Sequence, residues 1–443
     1  MLLGTQRINK AGHLEIGGCD CVDLAKQFGT PLYVLDETLI RENCRRYTNS
    51  LKEFYKEESR VVYAGKAFLT LGICKLIEQE GLWLDASSGG ELYTALRAGF
   101  PPQKILLHGN NKSLEELALA LDNAVERIVV DNLYELQLLN KLCIEKGKKA
   151  KILLRVTPGI DPHTHRFIST GQVDTKFGLN LKNGQAMEGI RMALEMEGVE
   201  LLGLHCHIGS QMLRIGPILK AAEIVMDFMK EIKEETGVEL RELDVGGGLG
   251  IRYLSSHHPP TIEEFIERLS KTIEKKAKAN GLALPILLIE PGRSIVGEAG
   301  TTLYTVGAIK EVSFSKNGRL LKRIYAMIDG GMSDNPRPQL YNAKYEAIVA
   351  NKASESPQIN YTIAGKHCET DVLIWDILLP PLEPGDILAV QSTGAYNYSM
   401  ASNYNRFPRP AVVLVREGKA DLLVRRETYE DLIKADLIPP HLK

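Results

Sequence analysis

The chain has 443 residues, 44% hydrophobic and 25% charged, so it is expected to be globular and to divide into two domains. Its 54 basic and 56 acidic residues are scattered without a basic arm or an acidic tail, which excludes nucleic acid and anionic membranes as expected partners. No stretch approaches the ~20 apolar residues of a membrane helix and no signal sequence is recognisable, so a cytoplasmic location is expected.

Seven cysteines are dispersed along the chain, and this odd number argues against a disulfide framework and for a reducing compartment. Cys19 and Cys21 have no second pair of ligands nearby, so they do not indicate a zinc site.

Residues 1–36 are expected to add a strand or two to a second domain, because the first long helical stretch begins only at Glu37. From there to residue 299, eight short runs rich in Val, Ile and Leu lack alternation, which is typical of strands buried on both faces of a parallel sheet. The runs are VVYAGK, LWLDASS, KILLHGN, RIVVDN, KILLRVTP, LLGLHCHIGS, ELDVGGG and PILLIEPGR. Helices are predicted between them, several with capping-box spacing at their start: Ser88 with Glu91, Ser113 with Glu116, and Thr261 with Glu264. This alternation predicts a TIM-type (β/α)8 barrel.

Polar residues end these strands, and the active sites of such barrels lie at that end. They are Lys66, Asp85, His108, Arg155, His207, Gly246 to Gly248, Glu290 and Arg293. Each of them singly can be explained because strands end in solvent-exposed loops, where polar residues are common. For Lys66, a solvated side chain is the ordinary alternative to a reactive amine. Together they predict a cationic and titratable ring around one barrel mouth.

Two segments at the mouth indicate a cofactor with a phosphate and an aromatic ring. Gly246, Gly247 and Gly248 follow a strand, so their bare backbone N–H groups can approach a phosphate, although a tight turn also explains them. In HCHIGSQ, the imidazole of His207 can stack on a flat ring. A zinc half-site of His205 with His207, or a buried hydrogen-bonded histidine, are the alternatives.

The sequence EPGR places Glu290 and Arg293 at the end of the eighth strand. A surface ion pair is one interpretation. The other is a carboxylate that keeps a pyridine nitrogen protonated, which makes the pyridine ring an electron sink.

The sequence pattern changes in residues 300–443, which contain β-branched and aromatic runs separated by turns and few helical stretches. They predict a second domain, an antiparallel β-barrel or sandwich.

Nine motifs in chain order resemble the diaminopimelate decarboxylases, within the fold-type III pyridoxal 5'-phosphate decarboxylases and alanine-racemase-like barrels. They are YAGKAF, DASSGGEL, HGNNKS, KFGL, HCHIGSQ, DVGGGLG, EPGR, KHCETDVL and TGAYNYSMASNYNRFPRP. The resemblance spans nearly the whole chain. It implies decarboxylation of meso-2,6-diaminopimelate to L-lysine, the last step of lysine biosynthesis, by a homodimer with shared active sites.

The resemblance also implies residue roles. Lys66 matches the catalytic lysine that forms the Schiff base, His207 the imidazole stacked on the cofactor ring, and Glu290 the partner of the pyridine nitrogen. The matches to phosphate contacts are Ser210, Gly246, Gly247, Gly248 and Tyr396. The matches to substrate contacts are Arg293, Arg337, Tyr341, Tyr396 and Glu369. Cys368 and Glu369 match residues that enter the site from the second subunit, where Cys368 or a neighbouring group is expected to protonate the carbanion left by decarboxylation.

One departure from the family pattern lies beside Cys368. The family usually has Cys-Glu-Ser-Gly-Asp, whereas Cys368 and Glu369 are followed by Thr370 and Asp371, which makes this loop one residue shorter. The resemblance therefore leaves the placement of Cys368 and Glu369 open.

Three other functions share this fold: decarboxylation of ornithine, arginine or lysine, an alanine-type racemase, and a non-catalytic pyridoxal-phosphate-binding protein. Arg337 favours diaminopimelate, because a guanidinium grips a distal carboxylate whereas a basic amino acid calls for an acid. A racemase would need a tyrosine base where this chain has Cys368. The presence of Lys66, Glu290 and Cys368 together argues against a silent protein.

Overall fold

The protein is described by a computed structural model that covers residues 2–160 and 174–443. The chain divides into two compact units, which are named the barrel unit and the β unit. The barrel unit comprises Arg41–Ile251 and His257–Ile295, and the β unit comprises Met1–Ile40, Arg252–Ser256 and Val296–Lys443. Part of the segment around the KFGL motif, residues 161–173, lies outside the described residues.

The N-terminal part of the β unit supplies one strand to a large sheet. A small antiparallel sheet comes first, and its strands are β1 (Arg7–Ile8), β2 (Leu14–Ile16) and β3 (Cys19–Asp20). Helix α1 (Cys21–Phe28) and strand β4 (Leu32–Asp36) follow. All five residues of β4 are buried, because β4 lies inside the large sheet.

The barrel unit contains the eight predicted parallel strands, and they close into a barrel. They are β5 (Ser59–Ala64), β6 (Trp83–Ala86), β7 (Ile105–Leu107), β8 (Arg127–Val130), β9 (Ala150–Thr157), β11 (Val199–His205), β12 (Glu242–Asp244) and β13 (Ile286–Ile289), while the short β10 (Leu179–Asn180) pairs with β9. Closure follows from the pairing of β13 with β5, in which Ile289 lies opposite Val61. The TIM-type fold predicted from the alternating runs is confirmed.

Helices precede, connect and follow the barrel strands. They are α2 (Glu37–Phe54), α3 (Leu71–Gln79), α4 (Gly89–Arg97), α5 (Leu114–Asp122), α6 (Leu133–Lys146), α7 (Gln185–Glu195), α8 (Gly216–Thr236), α9 (Ile262–Asn280) and α10 (Arg293–Val296). Ser113 and Glu116 form a reciprocal capping box, and the side chains of Ser88 and Thr261 each accept a backbone N–H at their helix starts. Among the described residues, no helix combines the length and the apolar character needed to cross a membrane.

Buried charges lie where the barrel strands begin. Glu242, the first residue of β12, accepts from Arg127 Nε at 2.9 Å and Arg127 Nη2 at 2.6 Å. Arg60 Nη1 reaches the same carboxylate at 3.2 Å and lies over the ring of Trp83. The side chains of Arg127 and Glu242 are 4% and 3% exposed. This end of the barrel is opposite to the strand ends that carry Lys66, so we assign this ion pair to stability.

The second sheet of the β unit is predominantly antiparallel, as expected. Its elements are β14 (Gly300–Lys316), β15 (Arg319–Ile328), α11 (Arg337–Tyr341), β16 (Ala347–Val349), β17 (Ile359–Ala364), β18 (Val372–Leu379), β19 (Ile387–Val390), β20 (Ala411–Arg416), β21 (Lys419–Val424) and α12 (Tyr429–Ile433). The order is β18-β17-β15-β14-β4-β20-β21, and β19 pairs with both β14 and β16. Two pairs, β15 with β17 and β4 with β20, are parallel, which the hairpin-like runs did not predict.

Candidate active site

Lys66 lies directly after β5, on a short 3-10 turn. Its Nζ donates to Asp85 Oδ2 at 2.9 Å, and Asp85 Oδ1 accepts from the Ser87 hydroxyl at 3.3 Å. The Lys66 side chain is 39% exposed, whereas Asp85 on β6 is fully buried. A reachable amine is therefore oriented by a carboxylate that solvent does not reach.

Glu290 is a buried carboxylate between two histidines. His108 Nε2 lies 2.7 Å from Oε1, and His205 Nε2 lies 3.4 Å from Oε2. The two imidazoles meet edge to face, with ring centroids 4.9 Å apart. Burial raises the pKa of Glu290, but the charges of His108 and His205 outweigh burial and hold the pKa well below its usual range. Glu290 is therefore ionised.

Asp244 is a second buried carboxyl beside Glu290. Its Oδ1 accepts from the backbone N–H of Gly246 at 2.8 Å, while Oδ2 has no hydrogen-bond partner among the described residues. Burial, together with the negative charge of Glu290, raises the pKa of Asp244 well above its ordinary value. This shift favours the neutral form of Asp244 at neutral pH.

His207 carries a neutral imidazole. Burial lowers its pKa well below the usual value, and the cations of Lys66 and Arg155 lower it further. Arg155 is itself buried, with its Nε 3.8 Å from Asp131 Oδ1 and its guanidinium 4.4 Å from the ring centroid of Phe177. The KFGL motif is thus tied to the barrel mouth.

The glycine run leaves bare backbone at the mouth. A Cβ on Gly247 would lie 2.1 Å from the backbone oxygen of Glu290, and one on Gly246 would lie 2.9 Å from His207 Nδ1. Gly246 also has φ +67°, in the region that favours glycine. A side chain at Gly246 or Gly247 would clash with these atoms, so the run keeps bare backbone beside His207 and Glu290.

Ser210 and Arg293 form a polar corner in the same unit. Arg293 donates to Ser210 Oγ from Nη2 at 2.9 Å and from Nε at 3.3 Å. Glu290 and Arg293 are only 4% and 5% exposed, so the surface ion pair considered from the sequence is wrong. Amine, bare backbone, hydroxyl and buried carboxylate are the donor and acceptor set that pyridoxal phosphate requires, so this site fits that cofactor.

Three of these residues could also hold a metal ion. The candidate ligand atoms of His108, His205 and Glu290 lie within 4.8 Å of one another. His207 is not part of this group, and no group of three candidate ligands among the described residues contains both His205 and His207. We interpret the group as a carboxylate oriented by two imidazoles, because Glu290 lies beside the glycine run.

In the β unit, Arg337 begins α11 and is a buried cation that has no counter-ion among the described residues. Its Nη1 donates to the hydroxyls of Tyr253 at 2.9 Å and Tyr345 at 2.7 Å. No carboxylate of the described residues pairs with it, although it is only 5% exposed. Burial opposes its charge, but the Tyr345 and Tyr253 oxygens outweigh burial and keep its pKa above the ordinary value. A buried cation of this kind indicates an anion site.

The other expected β-unit residues occupy loops and helix ends. Tyr341 is the last residue of α11, and Tyr396 has φ +62° in the segment after β19. Cys368 is exposed, in contrast to the six other cysteines, and its N–H donates to Asn405 Oδ1 at 3.1 Å. Glu369 Oε1 accepts from the Tyr404 hydroxyl at 2.7 Å.

Several contributors to the site were not assigned a role from the sequence. His205 and Asp244 end β11 and β12, and His108 directly follows β7, which is the signal that could have found them. Tyr253 and Tyr345 give no such signal, because the sequence around a single tyrosine in a loop does not predict which residue its hydroxyl will bind.

The family match, the similar sequences and the similar solved structures all point to pyridoxal-dependent decarboxylases. The pyridoxal-binding domain of pyridoxal-dependent decarboxylases matches residues 37–297. The diaminopimelate decarboxylase of Bacillus subtilis strain 168 is 50% identical over 437 residues, which cover 98% of each chain. That of Mycobacterium tuberculosis strain H37Rv is 41% identical over 435 residues, covering 97% of this chain and 96% of the relative. The crystal structure of diaminopimelate decarboxylase from M. jannaschii in complex with L-lysine has a TM-score of 0.91 and 40% identity, covering 99% of both chains.

Proposed function

Since this chain belongs to the diaminopimelate decarboxylases, a family of pyridoxal-dependent decarboxylases, we propose that its barrel mouth removes one carboxylate from meso-2,6-diaminopimelate and releases L-lysine. The observation that carries this proposal is the combination of a reachable Lys66 amine, 2.9 Å from Asp85, with an ionised and buried Glu290.

Different residues at the barrel mouth would bind different parts of pyridoxal phosphate. Lys66 would hold the cofactor through its amine, and Glu290 would hold the proton on its ring nitrogen. The backbone of the glycine run, together with Ser210, would bind the phosphate, and the neutral His207 would cover the ring. When bound, pyridoxal phosphate supplies an electron sink for the pair of electrons left by departing CO2.

Arg337 supports diaminopimelate as the substrate. Its uncompensated buried charge suits the distal carboxylate, which a guanidinium grips through two oxygens at once. Ornithine and lysine carry a distal ammonium and arginine a distal guanidinium, and a buried cation repels both. Arg293 and Tyr341 complete the set that holds the far end of the substrate.

We further propose a cytoplasmic homodimer with shared sites. Glu369 would bind the distal amino group, and Cys368 Sγ would donate the proton that replaces the lost carboxylate, both from the partner subunit. Tyr396 would contact the phosphate and the substrate. All seven cysteines are free thiols, as a reducing compartment requires.

A substrate panel tests the proposed reaction. With pyridoxal phosphate added, purified protein is expected to release CO2 from diaminopimelate at least about 100-fold faster than from ornithine, arginine or lysine, because one lost charge-assisted pair costs about 3 kcal/mol. Lys66→Ala is expected to abolish both turnover and the absorbance band of a protein-bound imine. Equal turnover of ornithine, or undiminished turnover by Lys66→Ala, would contradict the assignment.

Subunit mixing tests the shared site. Lys66→Ala and Cys368→Ala are each expected to be inactive alone. After exchange of subunits, a mixed dimer contains one site with both native residues, so about a quarter of the wild-type activity should return under random mixing. No recovery after demonstrated exchange would show that each chain completes its own site.

A further inference from the structure

The loop from Gly365 to Asp371 carries Cys368 and Glu369, and its ends are joined. The backbone N–H of Gly365 donates to the Asp371 carbonyl at 2.8 Å. Asp371 has φ +40°, a backbone conformation that non-glycine residues keep only when their surroundings stabilise it.

The Asp371 carboxylate supplies that stabilisation. Its Oδ2 lies 2.6 Å from His367 Nδ1 and accepts from the His367 backbone N–H at 3.2 Å, while Oδ1 accepts from the Met332 N–H at 2.7 Å. Both side chains are buried. A Cβ on Gly331 or Gly365 would lie 2.2 or 2.0 Å from Oδ2, so the carboxylate fills space that both glycines leave open.

A second set of contacts holds the outer side of the loop. The imidazole of His367 stacks on the Tyr404 ring, with centroids 6.0 Å apart and an interplanar angle of 12°. Tyr404 donates to Glu369, and Asn405 accepts from Cys368. His367 therefore links the buried carboxylate to the segment that contacts both functional side chains.

We propose that Asp371, acting through His367, is the positioning residue that orients Cys368 and Glu369 in this shortened loop. Two backbone donors and one imidazole converge on a single carboxylate, so the loop has one fixed path where the family pattern has an additional residue. The inference rests on the proposed function only in that Cys368 and Glu369 act on the substrate. Misplacement of such groups by about 1 Å can lower the rate ~100-fold.

Hydrogen exchange and kinetics of the holoenzyme test this role. Asp371→Asn places an amide N–H where the carboxylate meets other donors, and His367→Phe keeps the ring but removes its link to Asp371. In both variants, deuterium uptake is expected to rise in peptides covering residues 331–332 and 365–371. Uptake in barrel peptides and in β20 should stay unchanged, while kcat falls about 10- to 100-fold.

Asp376→Asn is the matched control, because Asp376 is exposed on β18 and also has a positive φ, +52°. It should leave exchange and kcat unchanged. Unchanged exchange at 365–371 in Asp371→Asn, or an increase spread evenly over the β unit, would overturn the positioning role. Failure of the wild-type protein to decarboxylate diaminopimelate would instead refute the proposed function, and the exchange data would still decide the role of Asp371 in the loop.

Discussion

At the scale of single residues, the structure treats two buried charges in opposite ways. Glu290 has two imidazole nitrogens within reach, 2.7 and 3.4 Å from its oxygens. Within the part of the chain that the structure describes, Arg337 donates to two tyrosine hydroxyls and pairs with no carboxylate. Because burying an unpaired charge is costly, the second arrangement indicates a group whose partner arrives with the substrate.

Replacement of Arg337 by lysine is expected to raise KM for diaminopimelate about 10- to 100-fold, because a lysine ammonium cannot grip two carboxylate oxygens as the fork does. Steady-state kinetics measure the change, with the exposed Arg319→Lys as a control. An unchanged KM would mean that Arg337 does not bind substrate.

Asp244 provides a second test at this scale. Asparagine keeps a neutral polar group of the same shape beside Glu290, so Asp244→Asn is expected to retain most activity, whereas Asp244→Ala should lose about 10-fold or more, since that group and its hydrogen bond to Gly246 disappear. An infrared carbonyl band of a protonated carboxyl should be present at neutral pH in the wild type and absent in Asp244→Asn. Equal loss in both variants would argue that Asp244 is ionised.

The same residue predicts a pH effect on stability. Its pKa is raised on folding, so the folded protein holds a proton that the unfolded chain releases above about pH 4. This contribution is complete below that pH and is lost as the pH rises. The free energy of unfolding of Asp244→Asn should therefore fall less steeply with pH than that of the wild type.

At the scale of elements, the glycine run depends on backbone contact. Gly247→Ala would press a methyl group against the Glu290 backbone oxygen, which cannot move without the strand. We expect it to cost about 1–3 kcal/mol in urea unfolding and to weaken pyridoxal phosphate binding. Gly216→Ala, at an open position that starts α8, should be neutral or stabilising. Equal stability and equal cofactor affinity of the two variants would contradict a phosphate-binding role of the glycine run.

The strands and the glycine run could be predicted because both are local patterns of apolar runs and small residues. The grouping around Glu290 could not, since His108, His205 and Asp244 come from three strands and only their register brings them together. Strand alternation would place His205 and His207 on one face, as the zinc half-site requires, but β11 ends at His205 and does not include His207. The partners of Arg337 could not be predicted either, because Tyr253 lies far away in sequence.

At the scale of the whole molecule, one end of the barrel carries chemistry and the other carries stability. Glu242→Gln should weaken two buried charge-assisted hydrogen bonds of Arg127, which keeps Glu126 as a counter-ion, and cost about 1–3 kcal/mol in denaturant unfolding. The folded enzyme should keep its kcat, because Glu242 begins its strand rather than ending it. The paired change of Arg127→Met with Glu242→Leu should recover part of the loss. A fall in kcat without a fall in stability would reverse this assignment.

The route of the chain through the two units also sets the order in which translation can complete them. All eight barrel strands lie in one stretch, from Ser59 to Ile289. Strand β4 emerges before them but pairs with β14 and β20, which the ribosome adds later. The nascent barrel can close before either edge of β4 is paired. Unpaired strand edges are prone to aggregation, so we expect a chaperone to bind β4 at this stage.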